Sequence, residues 1–247
     1  MGLTGRLLAL CFAALLASCG GGGGDGGGGG GTPPPAGMSG TWFGTLEDAD
    51  VALWTASITI AGGAITQVLQ NGVDTGLTGT VTQQSTGVMR YTLTDGSGSI
   101  AGVFLVDASL THMAFADEGA NFGVLQKNAS SPLPSYVYNT DLNGAWTGMG
   151  LLTDFTSFFT EASSTASCAF SSPTVTCTVT NPAGTFPTTL SGAFDTTFGR
   201  WTGTYTGPTN GSSNVLLSAD KTFAAAWACD NPDQFWPDDC AFYALHR

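Results

Sequence analysis

The densest cluster of chemistry-bearing side chains in this sequence is Asp230-Asn231-Pro232-Asp233-Gln234-Phe235-Trp236-Pro237-Asp238-Asp239-Cys240. Its carboxylates are hard oxygen donors of the kind calcium takes, but their spacing is that of no calcium loop. The simpler reading is an acidic hairpin tip closed by a cysteine. Phe235 and Trp236 on such a tip are of the aromatic type that anchors protein contacts. Asp233, Phe235, Trp236, Asp238 and Asp239 therefore form a candidate contact loop. Elsewhere the reactive groups are thin: two histidines, His112 and His246, and six cysteines. Their spacings make no zinc ribbon, and neither His-Glu-x-x-His nor Gly-x-Ser-x-Gly occurs. No metal and no cofactor is expected. Asp107, Asp117, Asp220 and Asp230 are read as turn residues, whose short carboxylates bond their own backbone.

Ser218-Ala219-Asp220-Lys221 is similar to the Ser-x-x-Lys of penicillin-binding proteins. In that family the motif opens a helix and partner motifs follow. Here it falls at an inter-strand turn, and Lys221 aligns with Ala108 in an internal repeat described below. It is read as coincidence, and no catalytic residue is assigned.

Arg6 precedes an almost wholly apolar run over residues 7–16. Ten residues rise about 15 Å as a helix, half of a bilayer core of about 30 Å. A charged start, a short apolar run and small residues at a cleavage point describe a signal peptide. Leu16-Ala17-Ser18-Cys19 resembles the lipobox of bacterial lipoproteins at all four positions. The resemblance implies cleavage before Cys19 and acylation of that cysteine, and two or more acyl chains give stable anchoring. Gly20 rather than Asp follows the cysteine, which points to the outer membrane. The glycines of 20–31 are then a tether: a flexible coil of that length spans about 17–21 Å, and Pro33, Pro34 and Pro35 add a stiffer piece. A phosphate cradle would need a strand, a helix and a lysine that are absent.

Loss of Arg6 with the signal leaves five basic residues against 18 acidic ones. With no basic patch to displace counterions, no nucleic-acid partner is expected. Of the six cysteines, Cys168, Cys177, Cys229 and Cys240 remain in the exported body, and disulfides are the default there. Three pairings are open. Cys168–Cys177 and Cys229–Cys240 are preferred, because each pair flanks one turn.

The rest of the chain alternates with period two. Val175-Thr176-Cys177-Thr178-Val179-Thr180 and Trp201-Thr202-Gly203-Thr204-Tyr205-Thr206 put threonine on one face and apolar groups on the other, the signature of half-buried strands. Turn residues punctuate at short intervals, so an antiparallel all-β body is predicted. It is duplicated: Gly40-Thr41-Trp42-Phe43-Gly44 recurs as Gly144-Ala145-Trp146-Thr147-Gly148, and residues 122–127 recur as 242–247. Between them Leu77 matches Leu190, Asp107 matches Asp220 and Asp117 matches Asp230. Both insertions in the second copy are assigned to its cysteine pairs. In the first copy strands are expected at 41–46, 52–60, 65–70, 77–82, 88–93, 100–106, 110–116 and 122–127. Eight short antiparallel strands close into a barrel, which removes exposed edges. Only the second copy carries cysteines, so reduction is expected to weaken it and spare the first.

Gly-x-Trp on a first strand and a basic residue ending the last resemble the calycin signature of lipocalin-like barrels. The resemblance implies that Lys127 packs over Trp42, and Arg247 over Trp146, to close each barrel's end. The expected organisation is a signal peptide over 1–18, lipidated Cys19 and tether over 19–37, barrel repeats over 38–128 and 142–247, and a linker over 129–141. These tandem eight-stranded up-and-down barrels are too shallow to need a cavity. The expected function is that of a non-enzymatic binding module on the outer membrane, held by acyl chains on Cys19 and engaging a small apolar ligand or a protein. A structural envelope spacer is the alternative, and a carboxylate hydrolase the third.

Overall fold

A computed structural model describes residues 31–152, 163–181, 184–205, 211–230 and 240–247. The first barrel contains β1 (Gly40–Glu47), β2 (Leu53–Ala61), β3 (Ala64–Gln70), β5 (Thr78–Ser85), β6 (Val88–Thr94), β7 (Ser99–Val106), β8 (His112–Asp117) and β9 (Phe122–Lys127), with a two-residue ribbon β4 (Val73–Asp74) extending β3. Each strand pairs antiparallel with its neighbours, and β1–β9 and β2–β3 contacts close the ring. The second barrel closes as β10 (Gly144–Leu152), β11 (Ser163–Ser171), β12 (Thr174–Asn181), β13 (Gly184–Asp195), β14 (Arg200–Tyr205), β15 (Gly211–Leu217), β16 (Phe223–Asp230) and β17 (Cys240–His246).

The alternation explains the barrels directly. On β6, Met89, Tyr91 and Leu93 are buried while Arg90, Thr92 and Thr94 face out. Large side chains pack in both interiors: Trp42, Met89, Phe104 and Met113 in the first, Trp146, Phe170, Trp201 and Tyr243 in the second. The glycine that ends each Gly-x-Trp-x-Gly run has a steric cause. A Cβ on Gly44 would sit 2.0 Å from the Val124 carbonyl oxygen, and one on Gly148 would sit 1.8 Å from that of Ala244. The first and last strands therefore approach closely at the seam of each ring.

Three sequence expectations need correction. The repeat register in the later strands differs from the one that matched aspartates. Asp107 N–H bonds the His112 carbonyl at 3.1 Å, and Ser218 N–H bonds the Phe223 carbonyl at 2.8 Å. Leu110 and Lys221 take the same left-handed turn position, with φ of 55° and 66°. Asp107 is thus equivalent to Ser218, not Asp220, and Lys221 to Leu110, not Ala108. Asp117, paired with Gly102, is equivalent to Ala228, paired with Ser213. Equal spacing arose because the two hairpins carry an aspartate at different turn positions.

The first insertion also lies elsewhere. Cys168 and Cys177 flank a two-residue turn, as short as the Gly62-Gly63 turn of the first barrel, whereas the β10–β11 connection has ten residues, 153–162, against five, 48–52, between β1 and β2, and the remaining extra residues lie between Cys177 and Leu190. Finally, 129–141 is more than a linker. Tyr136 is only 1 % exposed and packs in the core of the second barrel with Leu142, while Leu133 lies against it. The first barrel has its counterpart in a 3-10 turn, Ala36–Met38, whose Met38 is fully buried. Ordered contact begins earlier still, because Thr32 and Gln83 exchange backbone hydrogen bonds at 3.2 and 2.8 Å.

A third apolar cluster joins the barrels. Val103, Leu105, Phe122 and Val124 of the first meet Leu216, Phe223, Phe242 and Ala244 of the second. Strands β7, β8 and β9 are consequently buried on both faces, and every residue of β8 is buried.

Candidate functional site

Each barrel end opposite its longer second-copy connections is closed in the same way. Lys127 lies directly across from Trp42 on the adjacent strand. Its Nζ sits 5.6 Å from the Trp42 ring centre and donates to the Gly37 carbonyl. The Trp42 indole N–H donates to the Met38 carbonyl at 3.0 Å. In the second barrel the Arg247 guanidinium lies 5.7 Å from the Trp146 ring and donates to the Thr140 carbonyl at 3.2 Å and to the Asn143 carbonyl. The Trp146 N–H donates to the Leu142 carbonyl at 2.7 Å. A cation over an indole face gains from the ring quadrupole, and here it also holds the capping turn. These four residues shape the fold rather than a site.

The disulfides run Cys168–Cys177 and Cys229–Cys240, each between directly opposed residues of adjacent strands. Cys168 belongs to the interior cluster of the second barrel. Cys229 shares its strand face with Trp227, two residues away, towards the seam. Such bonds form in oxidising compartments and are rare in the cytosol, so the described body is that of an extracytoplasmic protein. Cys19 and the loop residues Asp233, Phe235, Trp236, Asp238 and Asp239 lie outside the described residues.

Ser218 and Lys221 do not face one another. The Ser218 hydroxyl donates to Asp220 Oδ1 at 2.7 Å and accepts the Phe223 N–H at 3.1 Å. Lys221 Nζ pairs with Asp141 Oδ2 at 2.7 Å, donates to the Ser135 carbonyl and lies over the Tyr136 ring. The lysine thus ties the plug of residues 133–142 to the second barrel. Its neighbour Asp220 was read as a turn residue, and it is one, accepting the Thr222 N–H at 3.2 Å. It has a second partner as well.

That partner is His112, and it marks what sequence reasoning missed. The His112 ring is buried at the junction of the barrels. Its Nε2 donates to Asp220 Oδ2 at 2.8 Å, its Nδ1 faces Asp107 Oδ2 at 3.2 Å, and its ring stacks on Phe223 at 5.3 Å. Burial opposes ionisation of Asp107, yet hydrogen bonds from the His112 amide, the Ser109 hydroxyl, the His112 ring and the Thr111 amide outweigh it and bring the carboxyl down to about 2. Asp220 is also held low: burial pushes it up, and bonds from Ser218 and His112 pull it further down. At another point on the junction, Glu47 of the first barrel meets Arg200 at 3.2 Å and accepts from Asn214, both in the second. Burial dominates there and lifts the Glu47 carboxyl to about 7 despite Arg200.

Beside His112 the junction opens into a groove of about 930 Å³. The Asp107–His112 hairpin forms one wall. The other is the outer face of β10, β11, β12 and β17, presenting Thr147, Thr165, Ser167, Thr178 and Thr180 around Met149, with His246 and Arg247 at one edge. Cross-strand pairing sets Thr147, Ser167 and Thr178 in one row. Neutral hydroxyls on neighbouring strands, about 4.8 Å apart, can both donate and accept.

No known family profile matches the sequence, and no curated protein does. Solved structures do. A protein of unknown function from the DUF3598 family of Nostoc punctiforme is 10% identical, with 85% of this chain and 96% of that one covered and a TM-score of 0.34. Intact Ap-TbpB, with its N and C lobes, is 8% identical over 83% of this chain and 63% of that one, TM-score 0.34. Kievitone hydratase from Nectria haematococca is 10% identical over 85% and 89%, TM-score 0.24. At these values none of them carries an activity or a ligand to this chain.

Proposed function

We propose that this chain is a lipid-anchored, non-enzymatic binding module of the outer membrane, and that the inter-barrel groove is its binding face for a protein partner. The observation behind the reading is the groove itself, a concave surface of about 930 Å³ walled by hydroxyls from three strands and by a hairpin of the other barrel. Large aromatic side chains pack inside both barrels, which favours a partner held outside them over a small apolar ligand held within. The acidic loop between β16 and β17, with Phe235 and Trp236, would add a second contact region. Anchoring rests on Leu16-Ala17-Ser18-Cys19 and the glycine tether after it.

Two measurements test the parts separately. Mass spectrometry of the mature protein should find an acylated Cys19 as its first residue, and Cys19→Ala should release the protein from membranes. A wild-type protein that begins elsewhere and stays soluble removes the anchor. For the binding face, the mature chain carrying Cys19→Ala is used as bait in envelope extract. Ser167→Arg with Thr178→Arg, both exposed and outward, should abolish capture of the retained protein without altering the melt. Undiminished capture by that variant removes the groove as the binding face.

A further inference from the structure

We propose that the groove faces the lipid surface to which the chain is anchored, and that its partner is a membrane-embedded protein rather than a soluble one. This rests on the anchored, groove-binding reading above and adds where the anchor leaves the body. β3 pairs with β5 only at Ala64–Thr80 and Ile65–Gly79, which leaves the later edge of β5 to other partners. Thr32 takes that edge, exchanging backbone hydrogen bonds with Gln83 at 3.2 and 2.8 Å. Its neighbours are seated as well. A Cβ on Gly63 would lie 3.1 Å from the Pro34 ring, and one on Gly31 would lie 2.9 Å from the Thr82 and Gln84 side chains. The pairing is antiparallel, so the chain runs back towards its N-terminus alongside β5 in the direction of the β5–β6 turn. Gly87 of that turn packs on groove residues: its carbonyl accepts the Val106 N–H at 2.9 Å, and a Cβ on it would lie 3.5 Å from Met149 Sδ. Val106 and Met149 both line the groove. The anchor therefore leaves the body beside the groove. Twelve residues, 19–30, lie between this strap and the membrane, and twelve residues reach at most about 40 Å in any conformation.

A tether of that length alone would let the body turn over, and charge decides which end faces down. In the first barrel the charges divide between its two ends. Asp50, Asp74, Asp95 and Glu118 are exposed at the end away from the strap, whose connections hold no lysine or arginine. The basic groups gather at the strap end. Arg90 lies across from Thr82, beside the strap. The Lys127 N–H bonds the carbonyl of Thr111, a groove residue, at 2.8 Å, and Arg247 lines the groove itself. Asp107 sits there too, but Ser109, Thr111 and His112 already engage it. An anionic lipid surface repels the first end and draws the second. A groove held over the bilayer in this way is open to a protein that rises from the same bilayer and is screened from one arriving from solution.

Two measurements test this. The acylated chain is placed on vesicles of phosphatidylethanolamine and phosphatidylglycerol carrying a headgroup nitroxide. One fluorescent non-natural residue replaces Thr178 in the groove or Val73 at the far end, both exposed. Quenching should be severalfold stronger at Thr178; equal quenching, or stronger quenching at Val73, overturns the orientation. In intact cells a photo-crosslinking residue in place of Thr165, also exposed in the groove, should capture a membrane-embedded protein. Tripling the tether with glycine and serine after Gly20 should lower that yield about fivefold, because effective concentration falls with roughly the −3/2 power of linker length. Capture of a soluble protein, or a yield indifferent to tether length, overturns the choice of partner. Unacylated Cys19, or capture that survives Ser167→Arg with Thr178→Arg, is a different failure: it removes the anchored groove reading and this proposal with it.

Discussion

Trp146 shows what one residue can hold together. Its ring packs edge-on to Phe170 at 6.4 Å, its N–H holds the Leu142 carbonyl, and Arg247 covers its outer face. Removing it opens a cavity in a filled interior and frees the plug of residues 133–142. Trp146→Ala should cost about 3–5 kcal/mol, as large aromatic truncations in cores do, read from denaturant unfolding. A loss below about 1 kcal/mol would place it among surface substitutions. Arg247→Ala should cost less, because the guanidinium supplies a stacking contact and carbonyl bonds at an exposed end. The pairing of tryptophan with a terminal basic residue could be read in the sequence because a short motif recurs in register. Asp107, His112 and Asp220 could not, since the triad spans the two copies and no spacing within one copy announces it.

At the scale of strands, alternation carried the reading well wherever one face meets water. The expected strand at 88–93 differs from β6 by a single residue, and that at 122–127 coincides with β9. It said less where both faces are covered. Residues 100–106 and 110–116 lack clean alternation, and the structure supplies the reason, since β7 and β8 pack inward on the first barrel and outward on the second. Near-continuous apolar runs are the mark of such strands, and that signal was available to point to a seam. The second-copy hairpins make a testable case. Each disulfide closes a loop of about ten residues, worth about 2–3 kcal/mol in the chain-entropy model. Cys168→Ala with Cys177→Ala should therefore lower the unfolding midpoint in urea clearly, and more than Cys229→Ala with Cys240→Ala, since only the first bond also lies in the interior cluster. Equal losses would show that loop closure alone accounts for both.

At the scale of the whole molecule the seam changes what the duplication means. Two separate barrels should melt separately, with reduction felt only in the cysteine-bearing copy. The structure ties them instead: Phe122 stacks near Trp227 at 6.3 Å, Trp227 on Phe242 at 6.1 Å, and Glu47 is buried against Arg200. A barrel produced alone would expose the apolar faces of β7–β9 or of β15–β17, a contiguous patch of the kind that marks an interaction or aggregation surface. Fragments 31–128 and 129–247 should accordingly self-associate or melt well below the intact chain. They should also recover stability when mixed. The intact chain should show one cooperative transition, and reductant should lower it as a whole, because loss of the second barrel strips the first of its cover. Phe242→Asp gives the sharpest separation of the two views. A charge placed in the seam has no partner there and is expensive to bury, so it should split the single transition into two while leaving both barrels folded. Two transitions in the wild type, unaffected by Phe242→Asp, would mean that the barrels stand side by side without energetic coupling.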